Sequence, residues 1–516
     1  MEKGKPHKKL SGPPTEPERW MIMLYIAADG NLANFAIESL KQINNSMAIP
    51  CGQTDEATVV VAAQFAIDAP GGQQIPRYVF DQNSRGSINN SLKEYLNAPN
   101  NMTEQEALIS FVKWVYALPK YQADKYALIL WGHGPELLLQ PPSGQEINDP
   151  SGGSPNDDES LYLTPPELRV ALTESLPRDK KLDILAFDAC SMSTFEVAYE
   201  VRDHVHYMVA SQEEVPDPSF PYDTLVQLFR EKGKHEAALL KKGVYAYVEA
   251  YEDYVCNTTT GMKRVTLSAL RLCECGRLLE AIAELSCALL KARKESGLPP
   301  LLTEARSGTR DFVSGLYVDL FDFCRKLRHV LAPGESEDQH KFELLNPGKL
   351  KTGQVVPPWK RNIRSACEKV MIALEEDTED TGKLLVLANC SADSCCHGVS
   401  LYLPYLCREQ FAEVQQPMVK GGRDTIGKGF SSVLNRAASG LLMCLRRELI
   451  LVTEGYYEGL ALAHDTAWYR FIVKVWSRFL VELSPDDLDQ KYSAQQSAVN
   501  AFRTDLKGPE CPEETT

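Results

Sequence analysis

Two short apolar runs end in a histidine and a cysteine, and these two side chains could do chemistry together. Tyr126-Ala-Leu-Ile-Leu-Trp131 is followed by Gly132-His133-Gly134, and Leu182-Asp-Ile-Leu-Ala-Phe187 by Asp188-Ala189-Cys190. A cysteine attacks a carbonyl as the thiolate, and an imidazole within reach both accepts its proton and later returns one to a leaving amine. Gly132 and Gly134 lack a Cβ, so a peptide backbone can approach them closely. The amides of Gly134 and Cys190 can then face a developing oxyanion. Taken alone, His133 reads as a hydrogen-bonded structural histidine and Cys190 as a buried thiol at a strand end. Taken together, at matching strand ends, they read as a nucleophile with its base.

The elements that position them follow from the hydrophobic pattern. Continuous apolar runs at Met21 to Ala27, Thr58 to Phe65, Tyr126 to Trp131, Leu182 to Phe187 and His206 to Ser211 predict strands buried on both faces. Amphipathic stretches at Asn31 to Ile43, Glu104 to Tyr116, Pro165 to Leu176 and Ser193 to Arg202 predict crossover helices between them. The fold class is therefore α/β with a mainly parallel sheet, in which ligands bind outside the carboxyl ends of the strands. His133 and Cys190 both fall at such ends. Later in the chain, Leu270 to Arg293 and Ser365 to Glu376 predict long helices. Leu384 to Ala388 and Val399 to Leu403 predict strands, of the same sheet or of another. A Pro, Gly and Lys-rich stretch at Pro333 to Pro358 reads as an exposed connection.

Composition narrows the function classes. The chain has 516 residues, 24% charged and 44% hydrophobic, which suits folded domains and excludes collagen, coiled coil and wholesale disorder. Its 55 Lys and Arg against 70 Asp and Glu give a net charge of -15, which argues against nucleic acid or an anionic membrane as partner and favours cationic ligands. No window has the length of a membrane span, and no apolar run follows the N-terminal lysines, so the expected compartment is the cytoplasm. The 14 cysteines show no zinc-finger spacing and read as reduced, mostly buried thiols.

His133 precedes Cys190 by 57 residues, the order and approximate gap of caspase-type cysteine peptidases. The chain more closely resembles the clostripain family. The resemblance lies in WMIMLYIAADGNL, ALILWGHG, DILAFDACSMSTFEVAYE, MVASQEEVPDPSFPYD, HGVSLYLP and a stretch ending in DTAWYRFI, spread from Trp20 to Ile472. It implies a caspase-like α/β/α sandwich with a C-terminal extension, a Cys190 nucleophile, a His133 base and cleavage after Arg or Lys. It also implies that Asp188, two positions before the nucleophile, lines the pocket for the basic side chain. On an extended segment residues i and i+2 point to one side, which agrees, and a buried carboxylate needs a partner that a substrate cation supplies. The competing role for Asp188 is a cap on the following helix.

Composition and the resemblance together suggest four divisions: a Lys, Pro and Gly-rich disordered tail over 1–19, a caspase-like catalytic domain over 20–255, a C-terminal region over 256–485 whose strands can extend the same sheet or form another, and a flexible tail over 486–516. Family members commonly mature by cutting themselves after a basic residue in the loop between His and Cys, but Tyr126 to Leu168 contains no Lys or Arg. The expected regulation is instead that of a zymogen cut in the loop 136–164 by another, upstream protease. Calcium dependence is a further family trait, for which Asp157-Asp158-Glu159 is the acidic candidate, although such a run also reads as solvated surface. No other metal or cofactor is expected. The alternative function is a catalytically silent caspase-like scaffold that acts as a protein-interaction module.

Overall fold

The computed structural model describes residues 18–27, 33–48, 58–65, 67–69, 72–97, 102, 105–132, 163–216, 219–231, 235–251, 265–312, 317–332, 356–378, 381–391, 396–403 and 460–472. At its centre five strands run parallel in the order β8 (Val205–Ala210), β7 (Leu182–Asp188), β6 (Lys125–Gly132), β1 (Arg19–Ala27) and β2 (Thr58–Phe65). In β1 seven consecutive residues from Trp20 to Ile26 are buried, as a parallel strand covered on both faces requires.

Antiparallel strands extend both edges to make a ten-stranded sheet. Beyond β2 lie β4 (Gly72–Phe80) and its neighbours β3 (Ile67–Ala69) and β5 (Leu92–Asn97). Beyond β8 lie β9 (Thr266–Arg271) and then β12 (Leu385–Cys390). A separate three-stranded antiparallel sheet joins β10 (Asp311–Phe312), β11 (Tyr317–Asp319) and β13 (Ser400–Tyr402). The two late apolar runs thus part company: one extends the main sheet and the other builds the small one.

Alternation along each strand divides the core into two layers. Met21, Met23, Leu128, Leu130, Leu185 and Phe187 face α2 (Gln105–Tyr116), α3 (Pro165–Ser175), α4 (Phe195–Val201) and α7 (Cys275–Lys291). Ile22, Leu24, Ile129, Trp131, Ile184 and Ala186 face α1 (Ala33–Met47), α5 (Tyr222–Arg230) and α6 (Glu236–Ala250). The result is an α/β/α sandwich, in which each fully buried large apolar side chain contributes about 1.5–3 kcal/mol. Local signals agree with the packing: Thr164 accepts from Glu167 N while the Glu167 side chain accepts from Thr164 N, a capping box that starts α3, with Pro165 in its first turn.

Residues far along the chain brace α4. Glu196 and Glu200, each 1% exposed, accept the backbone N–H groups of Tyr402 at 2.8 Å and Ala461 at 2.9 Å. Tyr199 Oη donates to Asp465 Oδ2 at 2.5 Å. The segment read as a helix from Leu270 to Arg293 begins instead as a strand, because Thr266–Arg271 completes pairing with both β8 and β12 before the chain turns into α7 at Cys275. Among the cysteines read as reduced, Cys190, Cys273, Cys275, Cys324, Cys367, Cys390 and Cys396 carry no disulfide, whereas Cys287 departs from that reading and is disulfide-bonded. The tails 1–17 and 486–516 and the connection 333–355 lie outside the described residues.

Candidate active site

Strands β6 and β7 pair in parallel register, with Trp131 opposite Asp188. Asp188 is the last residue of β7, and Cys190 stands two residues beyond it, at the carboxyl edge of the sheet. His133 and Gly134, the residues after Gly132 at the end of β6, lie outside the described residues, as do Asp157-Asp158-Glu159 and the loop from 136 to 162.

Cys190 occupies a turn rather than an extended segment. Ser191 takes a left-handed φ of 56°, and its N–H donates to Glu213 O at 2.9 Å. The i to i+2 argument that aligned Asp188 with Cys190 therefore does not describe the backbone here: the strand ends at Asp188 and the chain reverses across Ala189, Cys190 and Ser191. The Cys190 sulphur accepts the Val215 N–H at 3.3 Å. It is partly exposed, in contrast to the buried Cys275 and Cys324. Burial pushes the Cys275 thiol up to about 12 and the Cys324 thiol well above its ordinary value, which holds both as inert core hydrophobes.

Asp188 is 3% exposed and gathers donors from a segment about thirty residues downstream. Its Oδ2 accepts Phe220 N at 3.2 Å, Tyr222 Oη at 2.7 Å and the Ser219 hydroxyl. All three of these donors are neutral. Burial, and then the neighbouring Asp188 charge, push the Tyr222 hydroxyl well above its usual range, so it keeps the proton it donates. The capping role for Asp188 is taken by Thr194, whose side chain accepts from Val197 N at the start of α4. Gly132 also has a packing role: a Cβ there would lie 2.9 Å from Ala27 O, so the glycine lets β6 approach β1.

Ser219 is the residue that sequence reasoning missed. It adopts a φ of 94°, rare for a side chain other than glycine. Its hydroxyl accepts from Trp131 Nε1 and donates to Asp188, while its carbonyl accepts from Tyr251 Oη. A polar serine between two prolines and a phenylalanine carries no local signal for that role. Ser219→Ala leaves the buried Trp131 donor without its acceptor, and is expected to lower unfolding free energy by about 1–3 kcal/mol, read from urea denaturation. An unchanged midpoint would show that the link to Trp131 carries no stability.

Comparison with known proteins gives consistent matches. A family model described as the clostripain family of C11 peptidases matches residues 24–333. Clostripain from Hathewaya histolytica is 34% identical over 144 residues, which cover 26% of this chain and 26% of that relative, so the match spans about a quarter of the relative's length. A solved secreted C11 cysteine protease from Bacteroides thetaiotaomicron, held in complex with an irreversible peptide inhibitor, is similar at a TM-score of 0.48 with 17% identity, covering 78% of this chain and 97% of that one. An inactive zymogen C11 protease from Parabacteroides distasonis is similar at 0.46 with 16% identity, covering 79% and 97%.

Proposed function

The chain belongs to the clostripain family of cysteine peptidases, and from that premise we propose that it is an endopeptidase in which Cys190 attacks peptide bonds after Arg or Lys with His133 as base. The observation that carries the reading is the placement of Cys190. It sits on a turn at the carboxyl edge of β7, partly exposed, next to the strand that ends one residue before His133, and with a backbone N–H directed at its sulphur. A thiol so placed can ionise and reach a substrate, which a core thiol cannot.

In the reaction the thiolate adds to the scissile carbonyl. The resulting oxyanion is met by the amides of Gly134 and Cys190, and His133 returns its proton to the leaving amine. Water then hydrolyses the thioester. Asp188 supplies the charge for the basic side chain, and its carboxylate is already held in place by Tyr222, Ser219 and the Phe220 amide. A substrate guanidinium or ammonium would add a charge-assisted hydrogen bond to those of the neutral donors. Calcium, at Asp157-Asp158-Glu159, is an accessory to this reading and takes no part in its steps.

The test is a panel of fluorogenic peptides with Arg, Lys or Asp before the scissile bond. The panel is run before and after the loop 136–164 is nicked by an added protease: turnover of the first two alone, rising after nicking, is expected; turnover of the Asp peptide sinks the proposed specificity, and none at all from the nicked chain favours the silent scaffold. Activation follows from the loop composition. An enzyme whose pocket takes a cation has no Lys or Arg to cut between Tyr126 and Leu168, so cleavage in 136–164 falls to another protease. Mass spectrometry of the purified chain is expected to show it intact across residues 140–160. A cut there in the wild type but not in Cys190→Ala would mean that the chain processes itself.

A further inference from the structure

The turn that carries Cys190 leans on the segment that follows β8. Ser193 N donates to Ser211 O at 2.9 Å, Ser191 N to Glu213 O at 2.9 Å, and Val215 N to the Cys190 sulphur at 3.3 Å. Residues 211–215 belong to no helix or strand, so something else must fix them. Thr266 on β9 holds its start, its hydroxyl accepting Gln212 N at 3.0 Å and Glu213 N at 3.1 Å, and the Gln212 side chain, 2% exposed, ties it to the second half of the chain: its Nε2 donates to Ser400 Oγ at 2.9 Å and to Asp319 Oδ2 at 3.3 Å, and its Oε1 accepts from Gly398 N at 2.9 Å. The amide cannot be reversed, because its oxygen would then face a carboxylate and its N–H groups a backbone N–H.

The three partners all come from the second half of the chain, and each is itself immobilised. Asp319 is buried and accepts Asp322 N at 2.9 Å, which caps the helix α8 (Leu320–Leu331), as well as His397 N at 2.7 Å. Ser400 N donates to Ser193 O at 2.8 Å. Gly398 has a φ of 80°, and a Cβ on it would lie 2.9 Å from both Ala388 Cβ and Leu385 Cδ1.

We infer that Gln212 is a positioning residue through which Asp319, Gly398 and Ser400 hold the 211–215 segment at the spacing that keeps the Val215 N–H on the Cys190 sulphur. The inference rests on the reading of Cys190 as nucleophile. An N–H aimed at sulphur favours the thiolate over the thiol, so losing its alignment raises the thiol's pKa and leaves less nucleophile at neutral pH. Gln212 acts through the loop and touches no reacting atom. The C-terminal half thereby acquires a role in the chemistry without entering the cleft.

Gln212→Leu removes both donors and the acceptor while keeping the volume. Iodoacetamide labelling of the Cys190 peptide across pH, read by mass spectrometry, is expected to shift its midpoint up by about one unit, which leaves about tenfold less thiolate below the midpoint. The catalytic constant is expected to fall several-fold with KM within about twofold. Asp188, and Tyr247 on α6, which senses Cys190 electrostatically, are the same in both proteins and do not account for a difference. A lowered melting temperature with an unchanged labelling midpoint overturns the inference. Should Gln212→Leu fail to fold, Ser400→Ala, which removes one acceptor, is expected to give a smaller shift of the same sign, and no shift again overturns it. A wild type that cleaves no peptide even after its 136–164 loop is nicked defeats the proposed function instead, because the labelling midpoint is still measured.

Discussion

Cys190→Ala is expected to reduce peptide cleavage to the uncatalysed background and to abolish inactivation by thiol alkylators. In the proposed reaction the substitution takes away the atom that forms the thioester, and alanine has no group to replace a covalent step. The lost activity is not expected to be a folding effect. The side chain sits on a partly exposed turn, and the sulphur that accepts the Val215 N–H is a weak acceptor, so the loss of that bond costs little stability. His133→Ala is expected to lose about 10²–10⁴-fold, the usual worth of a positioned general base. Both are read as kcat/KM on an Arg peptide beside a thermal melt. Activity near wild type in the cysteine variant, with an unchanged melt, would mean that a different residue is the nucleophile.

Where the sequence was legible, a single physical cause made it so. The parallel strands β1, β2, β6 and β7 are buried on both faces and spell unbroken apolar runs, so their ends could be placed and with them Cys190. The antiparallel flanks lack that signature. In β4, GQQIPRYVF mixes polar residues and a proline into a strand, and in β9 the last residues continue smoothly into the apolar pattern of α7, which hides the switch from strand to helix. The surroundings of Asp188 were illegible for another reason. Its donors arrive from Ser219, Phe220 and Tyr222 by tertiary folding, and nothing at position 188 announces them. Gln212 was silent in the same way, since its three partners lie more than 100 residues away.

Asp188→Asn separates the two duties that the site and the proposed function place on one carboxylate. Asparagine keeps an oxygen that can accept from Tyr222 Oη and Phe220 N, so the Ser219 to Tyr222 segment retains most of its anchorage. What it removes is the charge. At a buried position that charge is only weakly screened, and a hydrogen bond to a charged group is worth about 1.5–3 kcal/mol, equivalent to about a 10- to 150-fold change in kcat/KM for Arg and Lys peptides. A neutral isostere of arginine before the scissile bond should be turned over about equally by both proteins, which distinguishes lost specificity from general damage. Tyr222→Phe is the complementary control, for it deletes a donor and leaves the charge, so stability falls while the basic preference stays. If Asp188→Asn instead keeps its preference for Arg and Lys, another acid forms the pocket, and Asp188 serves only to hold Ser219, Phe220 and Tyr222 against the end of β7.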